Sequence, residues 1–141
     1  MYFISIYLVI KKIICGVLLL KDTNEILLQL RDKNNLIDLP NVWVFPGGHK
    51  KHRESIENCA KREFYEETNY KIYKLEYVDT IELLGNNKII HYFYEKFDNE
   101  QKIICNEGQM LKFFNYKEIL NLDTPLYTIT ILNKLISKLN K

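Results

Sequence analysis

The sequence is poor in the residues that would commit it to a special class. It has three cysteines, Cys15, Cys59 and Cys105, far apart and odd in number. No Cys-x-x-Cys or Cys/His ligand spacing occurs, which argues against zinc and against a disulfide framework. The three read as reduced, buried, small apolar residues of a cytoplasmic protein. Neither sign of charge dominates: 20 Lys and Arg against 18 Asp and Glu leave +2. That balance argues neither for nor against nucleic acid, and no stable nucleic-acid partner is expected. No apolar run reaches the roughly 20 residues that span a bilayer. Tyr2 to Ile10 is apolar but short, is broken by Lys11-Lys12, and has no cleavage site after it. An extra β-strand is expected there rather than a membrane segment. Such a strand offers an edge for pairing, so the expected state is a monomer or a homodimer. There is no repeat, no low-complexity tract and no linker. What remains is 141 residues, 47% hydrophobic and 27% charged, the profile of one soluble domain over residues 1–141.

What is present is concentrated between Gly48 and Tyr70, GHKKHRESIENCAKREFYEETNY. Ser55 can cap a helix and Glu57 suits its first turn. Ile56, Cys59, Ala60 and Phe64 then recur at helical spacing and mark a buried face. Glu63 and Glu67 fall inside that apolar stripe, and Glu66 lies on its flank. Carboxylates four residues apart repel, and burying an unpaired charge is costly. One Arg62 cannot compensate three glutamates. A hard divalent cation with oxygen ligands can, Mg²⁺ or Mn²⁺.

The same stretch resembles the signature box of the Nudix hydrolases. Gly48, Glu54, Arg62, Glu63, Phe64, Glu66, Glu67 and Tyr70 match that pattern. Asn69 departs from it, standing where the family has glycine at a left-handed helix end. Asn tolerates that conformation next best, so the departure weakens helix termination and leaves the chemistry in place. The resemblance implies a Mg²⁺-dependent enzyme that hydrolyses a nucleoside diphosphate linked to another group. It implies Glu63, Glu66 and Glu67 as metal ligands, one of them doubling as base, with the Gly47 carbonyl as a further ligand. Arg62 would orient the glutamates. Glu54 is either an outer ligand or, with Arg62, an ion pair that ties loop to helix.

The rest of the chain alternates strands around this helix. Ile13 to Leu20 and Ile26 to Leu30 read as a hairpin around Asp22-Thr23-Asn24. Val42 to Phe45 reads as a short strand running into Pro46-Gly47-Gly48, where two glycines let backbone approach a metal or phosphate. The helix is expected over Ile56 to Thr68. Tyr77 to Leu84 and Lys88 to Phe97 form a second hairpin, Leu111 to Phe114 another strand, and Tyr116 to Leu120 a helical turn. In the last helix Thr124 can cap, Pro125 suits the first position, and Ile131, Leu132, Leu135, Ile136 and Leu139 form its stripe. Strands on both sides of a central helix, with a second helix at the end, point to a mixed sheet covered on both faces. The Nudix resemblance implies the same α+β fold, an α/β/α sandwich, over about residues 13 to 139.

Further candidates stand outside the box. Glu107-Gly108-Gln109 before Phe113-Phe114 resembles a stretch of the family's nucleoside triphosphate pyrophosphohydrolases, where the Glu is a metal ligand or base; otherwise it is a polar turn. Arg31 either contacts phosphate or base or is an exposed strand end. In purine-sanitising relatives the segment entering the final helix carries an Asn or Asp that binds the base edge. Asp123 is the matching residue, unless it serves only the helix start. His49, His52 and His91 read as surface or outer-layer residues, and Trp43 as core. The ADP-ribose subgroup carries a proline some fifteen residues beyond the box. Here the chain has only Pro40, Pro46 and Pro125. The diadenosine polyphosphate subgroup has a tyrosine at about that distance, where this chain has Gly85-Asn86-Asn87. The coenzyme A subgroup's run before the box is unlike Leu36 to Trp43. A small-molecule nucleoside triphosphate is left as the expected substrate, with oxidised purine forms among the candidates. The alternatives are a nucleoside diphosphate sugar hydrolase and a non-catalytic nucleotide-binding module.

Overall fold

The computed structural model describes residues 10–141, so the strand expected over residues 2–10 lies almost wholly outside the described residues. In chain order the elements are β1 (Lys12–Leu20), β2 (Ile26–Leu30), β3 (Trp43–Val44), β4 (Gly47–His49), α1 (Ile56–Thr68), β5 (Glu76–Leu83), β6 (Lys88–Lys96), β7 (Met110–Phe114), α2 (Tyr116–Leu120) and α3 (Tyr127–Leu139). The strands form one sheet in the order β3-β2-β1-β6-β5, with β4 also on β1 and β7 also on β2. β1 and β6 run parallel over nine pairs, from Lys12–Lys88 to Leu20–Lys96. The other pairings are antiparallel, so the sheet is mixed.

β1 is the middle of the molecule, and its sequence says why. Val17 to Leu20 is an unbroken apolar run, the mark of a strand covered on both faces. Alternate side chains point to opposite sides. Leu18 and Leu20 pack with Ile131, Leu132 and Leu135 of α3. Cys15, Val17 and Leu19 pack with Cys59, Ala60 and Phe64 of α1. The result is the expected α/β/α sandwich, with α1 and α3 on opposite faces.

β1 divides its antiparallel pairing. It meets β2 at Leu20–Ile26, where the turn is made by Asn24 at φ 64°. At the other end it meets β4, through Ile14–His49, Cys15–Gly48 and Gly16–Gly47. The glycine segment into which the Val42 to Phe45 strand was expected to run is itself partly a strand. A Cβ on Gly47 would lie 2.1 Å from the Cys15 carbonyl oxygen, so only glycine lets the two backbones pair here.

Three other expectations fail. α3 begins at Tyr127, three residues after Thr124, and Leu126 at its N-cap makes no side-chain hydrogen bond. Pro125 instead closes a turn, its carbonyl accepting from the Thr128 N–H at 3.0 Å. Ile136 and Leu139, expected on the buried stripe, are exposed: the buried stripe is Thr128, Ile131, Leu132 and Leu135, Ile136 lies on its flank, and Leu139 is the last residue of the helix. Cys105 is exposed, on the loop before β7, whereas Cys15 and Cys59 are buried as expected.

Candidate active site

The site begins with the capped helix α1. Ser55 is extended at its N-cap and its Oγ accepts from the Asn58 N–H at 3.1 Å. Asn69 ends the helix in the left-handed region, at φ 61° and ψ 9°, and its N–H donates to the Tyr65 carbonyl at 2.9 Å. Both ends are thus fixed by local chemistry. Between them Cys59, Ala60 and Phe64 are buried, and Glu67 is buried with them at 4% exposure. Glu63 sits one turn earlier on the same side, its side chain 16% exposed.

Arg62 ties the loop before α1 to the helix. Its Nε donates to Glu54 Oε2 at 2.7 Å, and its Nη2 donates to Glu54 Oε1 at 2.9 Å and to the His49 carbonyl at 3.0 Å. Its Nη1 donates to Glu63 Oε1 at 2.8 Å and to Glu66 Oε2 at 3.2 Å. The bidentate bond to Arg62 holds the Glu54 carboxyl down at about 2. The same bonds push the Arg62 guanidinium further up, so it stays charged.

Glu67 has a different environment. The Gly47 N–H donates to its Oε2 at 3.0 Å. Burial raises its carboxyl to about 9, helped by the charges of Glu107 and Glu63 and opposed by that one backbone donor. Glu107 arrives from far along the chain. The segment before it docks on the C-terminal end of α1: the Ile104 N–H donates to the Thr68 carbonyl at 2.9 Å and the Asn106 N–H to the Glu67 carbonyl at 3.0 Å. Gln29, buried on β2, then donates from Nε2 to the Glu107 carbonyl at 3.1 Å. Glu107 thereby comes up to Glu67, and among the described residues neither of these two carboxyls has a cation as a hydrogen-bonding partner, whereas Glu63 has Arg62.

These groups form one end of a cleft of about 760 Å³. Gly47, Gly48, Glu63, Glu67 and Glu107 line that end. Phe45, Ile90, Tyr92 and Tyr127 make an apolar floor and wall. Arg31, Asp38 and Lys88 are further charged groups lining it. An all-oxygen donor set whose most buried member is forced neutral without a counter-charge is the chemistry of a divalent-cation site. As the side chains stand, no three acidic, His or Cys groups among the described residues converge on one point. Arg62 holds Glu63 and Glu66, and the Gly47 N–H holds Glu67.

The NUDIX domain model matches residues 11–132 of this sequence. The chain belongs to the Nudix family. It is accordingly a Nudix-type pyrophosphohydrolase, an enzyme of acid anhydrides. A curated relative from Buchnera aphidicola subsp. Schizaphis graminum, an 8-oxo-dGTP diphosphatase, is 31% identical over 112 residues, or 74% of this chain and 82% of the relative. A second 8-oxo-dGTP diphosphatase, from Buchnera aphidicola subsp. Acyrthosiphon pisum, is 31% identical over 67% of this chain and 77% of its own length. Among solved structures, the MutT protein from Methanosarcina mazei Go1 superposes with a TM-score of 0.76 at 21% identity, covering 93% of this chain and 96% of the other.

On this Nudix fold the expected residues divide. Glu63, Glu67, Glu107, Gly47 and Arg31 share the cleft. Glu66 stands outside the lining with its side chain 52% exposed and contacts Arg62. Asp123 is exposed and absent from the lining, although Thr124, Pro125, Leu126 and Tyr127 are there. What Asp123 contributes is its backbone carbonyl, which accepts from the Trp43 N–H at 2.9 Å. Because α3 starts late, the segment carrying Asp123 is spent on β3. Trp43 packs edge-on against Phe114 as part of the core, as expected. His49 lines the cleft, His52 is exposed, and His91 hydrogen-bonds Thr80 at 2.8 Å. Sequence reasoning passed over Asp38, Lys88, Tyr92 and Tyr127. The alternation of Lys88, Ile90 and Tyr92 along one strand was the signal available for two of them.

Proposed function

We propose that this Nudix enzyme hydrolyses a nucleoside triphosphate to the monophosphate and pyrophosphate, with oxidised guanine nucleotides as the preferred class. The observation that carries this reading is the single cleft, acidic and oxygen-lined at one end and aromatic along its floor. A triphosphate fits the first and a base fits the second. The relatives named 8-oxo-dGTP diphosphatase support the choice of nucleotide.

Water is added at a phosphorus of the diphosphate bridge, and the phosphate-to-phosphate bond is broken. Glu63, Glu67 and Glu107, with the Gly47 carbonyl and Glu66, would hold a Mg²⁺ or Mn²⁺, which would neutralise phosphate charge when bound. Arg62 fixes Glu63 and Glu66 through its two-sided hydrogen bonds, so their orientation is set before substrate arrives. One glutamate of this set takes the proton of the attacking water. Arg31 lies in the cleft as a phosphate or base donor. Free thiols at Cys15, Cys59 and Cys105 suit a cytoplasmic setting.

The test is a panel of nucleoside triphosphates, their 8-oxo forms, nucleotide sugars and dinucleoside polyphosphates, each with and without Mg²⁺, with products identified by mass spectrometry. Triphosphates giving monophosphate and pyrophosphate are expected. A protein that turns over only nucleotide sugars overturns the proposal.

A further inference from the structure

The cleft holds an ion pair that the chemistry at its acidic end does not use. Lys88, at the start of β6, pairs with Asp38 on the loop between β2 and β3, 50 residues away in sequence. Both line the cleft. The Lys88 side chain is 16% exposed and the Asp38 side chain 61%. An ion pair open to water on one side contributes little to stability, so stability alone does not account for these two.

Their place along the cleft is fixed by register. Lys88, Ile90 and Tyr92 alternate on one face of β6. Tyr92 lies beside Gly16, and Gly16 pairs with Gly47, whose N–H holds Glu67. Lys88 lies four residues earlier, about 13 Å down the strand from that end. Between them run the apolar Ile90 and Tyr92, with Tyr127 packed near Tyr92 at 6.5 Å between ring centres.

The loop that presents Asp38 is held in place. Arg31 Nε donates to the Asp38 carbonyl at 2.9 Å. Leu39, the next residue, has φ 50°, a backbone conformation rare for a branched side chain, and Pro40 follows it. The loop closes through the Asn41 N–H to the Asp32 carbonyl at 2.9 Å and Gln109 Nε2 to Asn41 Oδ1 at 2.9 Å. A strained residue kept by surrounding bonds is characteristic of a ligand clamp.

We propose that Asp38 and Lys88 read the base, Asp38 accepting from the N1–H and 2-amino group of a guanine-type ring and Lys88 donating to its O6. This rests on the reading of the cleft as a nucleotide site. A carboxylate only accepts and an ammonium only donates. Guanine offers two adjacent donors beside one acceptor, which this pair matches side by side. Adenine reverses the order, with an amino donor at C6 and a bare acceptor at N1. Cytosine and thymine present no such triple edge. The two side chains satisfy one another, and a guanine edge inserted between them takes over both bonds. A site built to hydrogen-bond an edge rejects analogues that leave its polar groups unpaired.

Binding of dGMP, dAMP, dCMP and dTMP to the full chain tests this without hydrolysis, by titration calorimetry on wild type, Asp38→Ala and Lys88→Met. The wild type is expected to bind dGMP at least about tenfold tighter than dCMP, and each variant to lose most of that preference. A wild type without guanine preference, or variants that keep it, overturns the proposal. A uniform loss for all four nucleotides also overturns it, since that is the mark of a merely structural pair. The hydrolysis panel separates the two readings: turnover of triphosphates with no base preference lost in the variants leaves the proposed function standing and removes this one. Guanine preference in binding without triphosphate turnover does the reverse.

Discussion

The Glu63 carboxylate fills the space that a side chain at Gly48 would take. A Cβ on Gly48 would lie 2.3 Å from Glu63 Oε2 and 2.4 Å from its carboxyl carbon. The missing side chain is therefore what leaves room for the carboxylate at the cleft. Glu63 is the flexible end of a long side chain and can swing away. Gly48→Ala is expected to fold with near-normal stability while kcat/KM falls about a hundredfold, the effect of displacing a reacting group by about 1 Å. Thermal melts and steady-state kinetics on one preparation check both halves. A fully active Gly48→Ala would show that Glu63 has no fixed place in the reaction.

Gly47 predicts the opposite pattern. Its Cβ would meet backbone, the Cys15 carbonyl, which cannot swing aside. Gly47→Ala is expected to cost about 1–3 kcal/mol of stability, as overpacking does. Urea unfolding measures it, and a variant as stable as wild type would mean that β4 does not pair with β1 as described.

Glu67→Gln keeps the shape and removes the carboxyl that can ionise to hold a cation. Turnover should fall by about a hundredfold or more, as when a charge-stabilising group is lost. The metal-free protein should be as stable as wild type or better near pH 7, because burial makes the folded Glu67 carboxyl take up a proton that the unfolded one does not hold, a cost that Gln does not carry. Added Mg²⁺ should raise the melting temperature of wild type more than that of the variant. Near-normal turnover at saturating Mg²⁺ would remove Glu67 from the ligand set.

Glu54 links the site to acid stability. Its folded carboxyl sits at about 2, below the ordinary 4.5, because Arg62 binds it. A depressed carboxyl stabilises the fold above its unfolded value and loses that contribution as pH falls toward the folded one. Stability should therefore drop between about pH 5 and pH 2 in part through this group. Glu54→Gln should be less stable at pH 7 and should show a shallower decline over that window. Parallel urea curves at several pH values would expose the difference, and identical slopes would rule the bond out as a contributor.

Asn69 tests the one departure from the signature. Asn69→Gly should stabilise by up to about 1 kcal/mol, because glycine has no Cβ clash at φ 61°. Asn69→Val should melt lower than both, with activity per folded molecule kept in all three. Equal melting temperatures would contradict the left-handed helix end.

The parts of the site legible in the sequence are those fixed within a few residues. Ser55 and Asn69 set the limits of α1 by local hydrogen bonds, and the misplaced Glu63 and Glu67 stood out against its apolar stripe. Glu107 was legible only through resemblance, since its approach depends on Gln29 and the end of α1. β4 was not legible, because glycine carries no strand signal and its partner lies more than 30 residues earlier. The start of α3 was misplaced for a related reason. Thr124 and Pro125 satisfy the local rules for a helix start, but the Trp43 N–H takes the Asp123 carbonyl and draws that segment onto β3. The Asp38–Lys88 pair joins two polar residues from separate segments, and nothing near either one announces the other.

The parallel pairing of β1 with β6 sets the order in which the chain can become itself. Every one of its nine pairs joins residues 76 positions apart. Closing so long a loop costs entropy before any contact repays it, and such topologies fold slowly. During synthesis Val17 to Leu20 leave the ribosome long before Phe93 to Lys96 exist to pair with them, so the nascent chain carries its central strand with one edge unpaired through most of its translation. The glutamate cluster cannot assemble until later still, when residues 104–107 reach the end of α1. A nascent or truncated chain ending before that segment therefore has the residues of its signature helix and the Arg62 network but lacks Glu107, the one carboxyl of the cleft's acidic end that comes from outside the helix.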